Sequence, residues 1–300
     1  MDENNTQILI MKRHSNNNTV PTPEYGWEEI ARIIQTGAEI TIDIPEYYSK
    51  VGFFIVAGGG GGCGDYNKSD CSGQGGNGGE VNNVIVDNVA SSAVAKVGSG
   101  GIGGNKTTPD KNTDNGRTAG GDSCVVYNGV SYNSVGGYYG GYAVGYGKCN
   151  LLQTGNRGIG GCGAGFNNYP GNIWYADYFW NGKAGEGEDL DSTYSNTFHI
   201  HGGDGHHNPF DVFDDNLYGA GGGGGCDSYR GYAYTKTHFG KGGNNGGGNG
   251  GYGDDNKPQN KGTDAMFYGG GGGGAAFSSG HTYGQGGSGY QGVVIIYGKR

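Results

Sequence analysis

The 300-residue chain contains 72 glycines and carries a formal net charge of −9 at pH 7. Glycine does not recur at every third position along the chain and there are only 7 prolines, which excludes a collagen triple helix. Nucleic-acid binding needs a concentrated surface of Lys and Arg, and here the 19 basic residues are scattered and the net charge is negative. No stretch approaches the roughly 18 apolar residues of a membrane span. We therefore expect neither nucleic acid nor a membrane as a partner.

The aromatic residues argue against a disordered chain. Glycine and proline together would suit disorder, but 23 Tyr, 10 Phe and 3 Trp are interleaved with the glycines, and disordered segments are poor in aromatics. The sequence therefore predicts a folded protein.

Residues 1–36 differ in composition from the rest. They contain a short strand-like run, QILIMKR, a turn-rich linker, SNNNTVPTPEYG, and the segment WEEIARIIQ. In the last segment the apolar residues have helical spacing: Trp27, Ile30, Ile33 and Ile34. So short a segment cannot bury its own core, so we predict an attachment segment at 1–36 and a glycine-rich β domain at 37–300.

Short apolar and alternating runs predict β-strands in the second part. They cover residues 39–44, 51–56, 80–89, 93–97, 124–132 and 293–297, with an Asn-Gly turn at Asn128 and Gly129. No helix is predicted after residue 36. The fold class is therefore all-β, a frame of strands enclosing glycine-rich connections.

The glycines form contiguous runs, the longest being Gly58–Gly62, Gly221–Gly225 and Gly269–Gly274. Such a run has no side chain to bury and loses much backbone entropy on ordering, so only dense backbone hydrogen bonding can hold it. Extended helices with three residues per turn, of the polyglycine II type, supply that bonding when they pack side by side. We expect a bundle of such helices.

The cysteines do not define a site. The six are Cys63, Cys71, Cys124, Cys149, Cys162 and Cys226, with no CxxC pair, and the N-terminus lacks the pattern of a secretory signal. Structural or unpaired cysteine is favoured over metal ligation, and the disulfide state stays open.

Five segments of the chain carry a family resemblance. The order FFIVAGGGGGCG, GGEVNNVIVDN, AVAKVGSGGIGG, SCVVYNGVSYNSVGG and GQGGSGYQGVVIIYGKR resembles the glycine-rich domain of bacteriophage tail-fibre and adhesin proteins, over about residues 38–300. More distantly it resembles the extracellular region of a receptor tyrosine kinase subfamily. The resemblance implies a β sandwich with polyglycine II helices bundled against it.

The beginning of the chain resembles the N-terminus of phage tail-fibre proteins. Residues 7–23, with the short ILIMKR strand and the Val-Pro-Thr turn, carry this likeness, and the chain then departs from the usual continuation at WEEIARIIQTG. Tail and capsid attachment both remain open.

The resemblance implies a virion protein and not an enzyme. Residues 1–36 would dock onto other virion proteins, and the glycine- and tyrosine-rich loops would bind a host bacterial surface receptor, a glycan or an outer-surface protein. A homo-oligomer is expected, a trimer being one form, made in the host cytoplasm and displayed on the particle exterior, with no cofactor. The alternatives are a structural head fibre or capsid decoration protein and, from another class, a glycan depolymerase.

One aromatic group is the candidate receptor-binding site. Its members lie within NNYPGNIWYADYFWNGK: Trp174, Tyr175, Tyr178, Phe179 and Trp180. Aromatic side chains bind sugars and proteins through large apolar faces with polar edges. Equally, a scaffold poor in Leu and Ile could use these residues as its core.

The pair His199 and His201 is the candidate metal site. A His-x-His pair on a strand presents both imidazoles on one face. By resemblance to trimeric phage fibre tips, three such pairs could surround one metal ion. The alternative is a set of solvent-exposed loop histidines.

Acidic residues could supply the paired carboxylates of a glycosidase. They are Glu186, Glu188, Asp189 and Asp191, with Asp211, Asp214 and Asp215 farther on. Their glycine-rich settings favour a solvated loop or a calcium contact over an active site.

Overall fold

A computed structural model describes seven parts of the chain: residues 26–64, 73–105, 116–140, 202–224, 240–251, 261–275 and 284–300. All regular elements in these parts are β-strands. They are β1 (Trp27–Ile33), β2 (Glu39–Asp43), β3 (Lys50–Val56), β4 (Val81–Asp87), β5 (Ser92–Lys96), β6 (Ser123–Tyr127), β7 (Val130–Ser134) and β8 (Val293–Lys299). The predicted all-β class is confirmed, and β2 to β8 lie where alternation and β-branched residues predicted strands.

The strands form two antiparallel sheets in a sandwich. The first has the order β1-β8-β3-β4 and the second the order β2-β5-β6-β7. Side chains from both sheets, among them Val51, Phe53, Ala95, Val125 and Ile296, pack between them in one fully buried core. Burial of these apolar faces is the main force that holds the two sheets together.

The helical spacing of the apolar residues in WEEIARIIQ does not correspond to a helix, because Trp27–Ile33 is strand β1, paired with β8. The register shifts between Glu29 and Ala31, so Ile30 is the extra residue of a β-bulge. Ile30, Ala31 and Ile33 all contact the core between the sheets, whereas Trp27 and Ile34 pack on the opposite face. A bulged strand buried on both faces therefore produced apolar spacing that imitates a helix.

The outer face of the first sheet is covered by residues 206–218 and 267–268. The Phe210 ring lies over Gly52, where a Cβ atom would come within 2.6 Å of it, and makes an edge contact with Trp27 at 5.0 Å. Tyr218 packs against Phe54 at 4.9 Å, and its hydroxyl donates to Asp214 at 2.6 Å. This second, aromatic core buries the sheet on the side that the second sheet does not cover.

The connections at the two ends of the strands differ. At one end, here called the base, lie Gly26, Arg300 and the short turns 44–49, 88–91 and 128–129. At the other end the chain leaves β3, β5 and β7 for the long connections 57–80, 97–122 and 135–292. Apart from the short link 34–38, every connection at that end passes through glycine-rich segments.

These segments form one hydrogen-bonded body, here called the glycine lattice. It consists of residues 57–64, 73–80, 98–105, 116–122, 135–140, 202–205, 219–224, 240–251, 261–265, 269–275 and 284–292. The segment 57–64 lies at its centre and bonds with a period of three. Ala57, Gly60 and Cys63 donate to residues 73–80, Gly58 and Gly61 to residues 116–122, and Gly59 and Gly62 to residues 284–292.

The carbonyl groups of the central segment follow the same period. They accept from three further segments, 98–105, 135–140 and 269–275. The six neighbours are bonded to one another in a closed ring, in the order 98–105, 116–122, 135–140, 73–80, 269–275 and 284–292. A bonding period of three with neighbours on all sides is the pattern that a helix with three residues per turn would give, and the polyglycine II conformation itself stays a prediction.

Glycine is required inside the lattice because neighbouring backbones leave no space for a side chain. A Cβ atom on Gly61 would overlap the carbonyl oxygen of Ile102, and one on Gly62 would overlap that of Gly273. The close approach that removes this space also allows the hydrogen bonds of 2.7 to 3.1 Å between segments.

Candidate functional site

The end of the lattice farthest from the sheets is here called the tip. Six segments run toward it and end at Gly64, Asn105, Gly140, Gly224, Gly251 and Ala275, and six return from it, beginning at Gly73, Gly116, Gly202, Gly240, Lys261 and Gly284. Hydrogen bonds hold several of these ends together. Ala275 donates to Cys63 at 2.8 Å, Gly73 donates to Ala275 at 2.7 Å, and Gly240 donates to Gly224 at 3.0 Å.

Six stretches of sequence connect these ends. They are residues 65–72, 106–115, 141–201, 225–239, 252–260 and 276–283, all outside the described residues. What the structure does establish is where each begins and ends, which is the tip in every case. The lattice thus gathers six connections on one surface, as a rigid scaffold does for binding loops.

The predicted site residues belong to one of these stretches. Trp174, Tyr175, Tyr178, Phe179 and Trp180 and the pair His199 and His201 all lie within 141–201, outside the described residues. The flanking residues are described: Gly140 donates to Gly61 at 2.8 Å, and Gly202 donates to Lys241 at 2.8 Å. Both predicted sites therefore remain predictions, attached to the chain at the tip.

Near the tip, three side chains that sequence reasoning did not single out as a group meet. The Arg117 guanidinium donates to Cys63 Sγ at 2.9 Å and lies 4.7 Å from the centre of the Tyr139 ring. The Cys63 thiol also approaches the Gly64 carbonyl at 3.1 Å. Stacking on an aromatic face suits the planar guanidinium, and it fixes Tyr139 beside the start of residues 141–201.

A regular column of side chains marks several lattice segments. Non-glycine residues recur every three positions: Gln74, Asn77 and Glu80; Ser99, Ile102 and Asn105; and Gln285, Ser288 and Gln291. Every third residue of a three-per-turn helix points the same way, so each column occupies one side of its segment. The Ser99 column is exposed, with Ile102 57% accessible. This local period was the signal available in the sequence for the segments of the lattice.

Two of the acidic residues singled out in the sequence, Asp211 and Asp214, have structural contacts. Asp211 accepts from the Phe213 N–H at 3.1 Å, and Asp214 accepts from Tyr218 and Asn216. Among the described residues no group of three or more His, Cys, Asp or Glu side chains could hold a metal ion. Glu186, Glu188, Asp189 and Asp191 lie outside those residues.

His206 is the histidine of the described part with a shifted pKa. Its N–H and carbonyl exchange hydrogen bonds with Tyr218 at 2.8 and 2.9 Å, which holds it against the outer face of the first sheet. Burial, together with the nearby His207, lowers the pKa of His206 below its ordinary value. Folding therefore disfavours the protonated form of this imidazole.

The base carries a different surface, formed by aromatic and cationic side chains. The Lys299 ammonium lies 5.7 Å from the Trp27 ring, and the Arg300 guanidinium lies 5.1 Å from the Tyr47 ring and 3.5 Å from Glu28. Tyr47 is 61% exposed. Residues 1–25 join the described chain here, at Gly26, so this part of the predicted attachment segment connects to the sandwich at the end opposite the tip.

The fold and the lattice define a class: an all-β, glycine-rich domain in which a two-sheet sandwich supports hydrogen-bonded glycine segments. Residues 35–299 match the family model described as the glycine-rich domain, and the chain belongs to that family. A search of curated proteins found no match to the chain. In the parts of the chain that are described, no helix is long and apolar enough to cross a membrane.

Proposed function

We propose that this protein is a bacteriophage virion fibre protein, a tail fibre or adhesin, that binds a host bacterial surface receptor. Residues 1–25, the part of the predicted segment 1–36 that precedes β1, attach it to other virion proteins, and the connections at the tip present glycine- and tyrosine-rich sequence to the receptor. Passive binding is the mechanism: the lattice holds the loops, and several copies on one particle convert weak contacts into avid attachment.

One observation supports this proposal above the others, namely the separation of the two ends. Residues 1–25 enter at the base, next to Tyr47 and Arg300, whereas residues 141–201 leave and rejoin the chain at the tip. A protein held at its base would therefore direct the long, aromatic-rich connection outward. A structural decoration protein does not require this arrangement.

The test is binding of the purified, labelled full-length protein to intact host cells over a range of concentrations. A triple variant, Trp174→Ala, Tyr178→Ala and Trp180→Ala, removes the predicted contact group. Tyr47→Ala is the matched control, since it deletes an exposed aromatic ring at the base instead. Both variants are first compared with the wild type by circular dichroism and thermal unfolding.

We expect saturable binding by the wild type and the Tyr47→Ala protein, and loss of binding in the triple variant. Absence of wild-type binding would refute the adhesin function and leave the structural head-fibre alternative. Release of reducing sugar ends from host polysaccharide would instead identify a depolymerase.

A further inference from the structure

The two long sides of the sandwich differ in charge. One side is formed by the edge strands β1 and β2, which carry Glu28, Glu29, Arg32, Glu39 and Asp43. The other side is formed by β4 and β7, where Asp87, the last residue of β4, is the one charged side chain in the two strands. Charged side chains and bulges protect an edge strand from pairing with another chain. β1 has both charged side chains and a bulge, whereas β7 has neither.

Strand β7 has the sequence VSYNS, and only its last residue is buried. It pairs with β6 through a two-residue turn at Asn128 and Gly129, both with positive φ, and Tyr127 pairs with Val130. In such a hairpin every second pair exchanges hydrogen bonds, so the backbone groups of Val130, Tyr132 and Ser134 face β6. Those of Ser131 and Asn133 point outward, away from the sheet.

The outward groups are accessible to a new strand. Just beyond the strand, Val135 is bonded to Glu80: its N–H donates to Glu80 Oε2 at 2.9 Å and its carbonyl accepts from the Glu80 N–H at 3.0 Å, so the edge open to a new strand ends at Asn133. Within β7 itself, among the described residues, the outward bond is that of the Asn133 carbonyl, which accepts from Asn82 Nδ2 at 3.2 Å. A carbonyl oxygen has a second lone pair, so this contact does not prevent another bond. Ser131 and Asn133 are both exposed.

We propose that β7 is a homodimer interface, pairing antiparallel with β7 of a second copy about a two-fold axis at Tyr132. In this register Ser131 of each copy faces Asn133 of the other, and four backbone N–H···O bonds form. An isologous contact of this kind needs a self-complementary strand, which an uncharged sequence provides. The two second sheets then become one continuous eight-stranded sheet.

The side chains agree with this register. Ser131 Oγ already donates to Asn133 Oδ1 within one chain at 3.0 Å, and the same pair of groups meets across the interface. Tyr132 faces the core side, where its ring lies 5.7 Å from Phe53, and the two Tyr132 rings become cross-strand neighbours. No like charges oppose one another in the paired strands.

The experiment is sedimentation velocity of the full-length protein over a hundredfold range of concentration. Ser131→Pro removes an N–H that points away from β6, so it blocks the new pairing and leaves the hairpin bonds intact. Ser131→Lys places a charge at the same edge, and this variant replaces the proline variant in the experiment if the proline variant does not fold. Thr41→Lys is the matched control, because Thr41 is exposed in the same cross-strand row at the opposite edge of the same sheet.

We expect the wild type and Thr41→Lys to reach twice the mass of one chain, and both Ser131 variants to stay at the mass of one chain at the same concentrations. A wild type with the mass of one chain throughout, a trimer, or Ser131 variants that dimerise like the wild type would each overturn the proposal. Host-cell binding is measured separately, so this result does not depend on the receptor-binding function.

Discussion

Substitution of Gly61 by alanine tests the close packing of the glycine lattice most directly. Gly61 lies in the enclosed central segment, where it donates to Thr118 at 3.1 Å and accepts from Gly140 at 2.8 Å. The added Cβ atom would overlap the carbonyl oxygen of Ile102, which belongs to rigid neighbouring backbone. The segments must therefore separate locally, which weakens both hydrogen bonds.

The magnitude follows from three contributions. Overpacking of a close-packed interior costs about 1–3 kcal/mol, and two weakened hydrogen bonds cost about 0.5–1.5 kcal/mol each. Replacing glycine by alanine also restricts the unfolded chain, which stabilises by about 0.4–1 kcal/mol. The net loss in the free energy of unfolding is about 3 kcal/mol, or about 10 °C in Tm at roughly 2–4 °C per kcal/mol.

Thermal unfolding followed by circular dichroism measures this change, with Ile102→Ala as the control. Ile102 is in the adjacent segment and in contact range of the same site, but its side chain is 57% exposed, so its loss should change stability by less than about 0.5 kcal/mol. If the Gly61→Ala protein melted at the wild-type temperature, the lattice could not be close-packed at this point and the reasoning would be refuted.

Three further predictions concern buried polar groups. Ser123→Ala should lower the free energy of unfolding by about 2–4 kcal/mol in urea titrations, since the buried hydroxyl donates to Val56 at 2.8 Å and accepts from Gly98 at 2.9 Å. A loss no larger than that of Thr41→Ala, at an exposed position, would contradict this. Tyr127→Phe should cost about 2–3 kcal/mol, because its hydroxyl accepts from two N–H groups of the turn after β4, and unchanged hydrogen exchange in that turn would argue against it. Burial raises the pKa of Tyr297 above its ordinary value of 10.0, so the folded state favours the neutral phenol. The stabilisation that this raised pKa gives to the folded state is fully present below pH 10. It is lost as the pH rises above 10, because the unfolded chain then releases the phenol proton more readily than the folded one. The urea midpoint should fall above pH 10, and less steeply in Tyr297→Phe; equal slopes would exclude this residue as a cause.

The strands could be predicted because their residues repeat the geometry of a half-buried sheet. Alternation in EITID and the β-branched run VVII gave β2 and β8 nearly to the residue, and the Asn-Gly pair gave the turn between β6 and β7. β1 could not be predicted in this way, because its bulge breaks the alternation and the aromatic cover on its outer face buries Trp27. The aromatic residue that covers Trp27 lies about 180 positions later in the chain, so no local sequence pattern predicts the contact.

The sequence predicted that the glycine runs form dense backbone hydrogen bonds, but it did not predict how the segments are arranged. Glycine runs imply dense backbone bonding, yet which segment lies next to which depends on hydrogen bonds between distant residues, such as Gly60 to Asn77 and Gly272 to Gly60. The candidate receptor and metal residues were chosen for their chemistry, and the structure describes the ends of their connection rather than the residues themselves. The tip as a common surface emerges only once the direction of every segment is known.

The three-residue bonding period restricts how the length of this chain can change. Inserting one residue inside a lattice segment would rotate all later residues of that segment by about 120°, so each would face a different neighbour. The side chains of columns such as Gln74, Asn77 and Glu80 would then point at the backbone of an adjacent segment. Insertions at the tip carry no such penalty, because each connection begins after one register ends and closes before the next one starts. Lineages of this protein should therefore vary freely in loop length at the tip, while their lattice segments gain or lose residues only in threes.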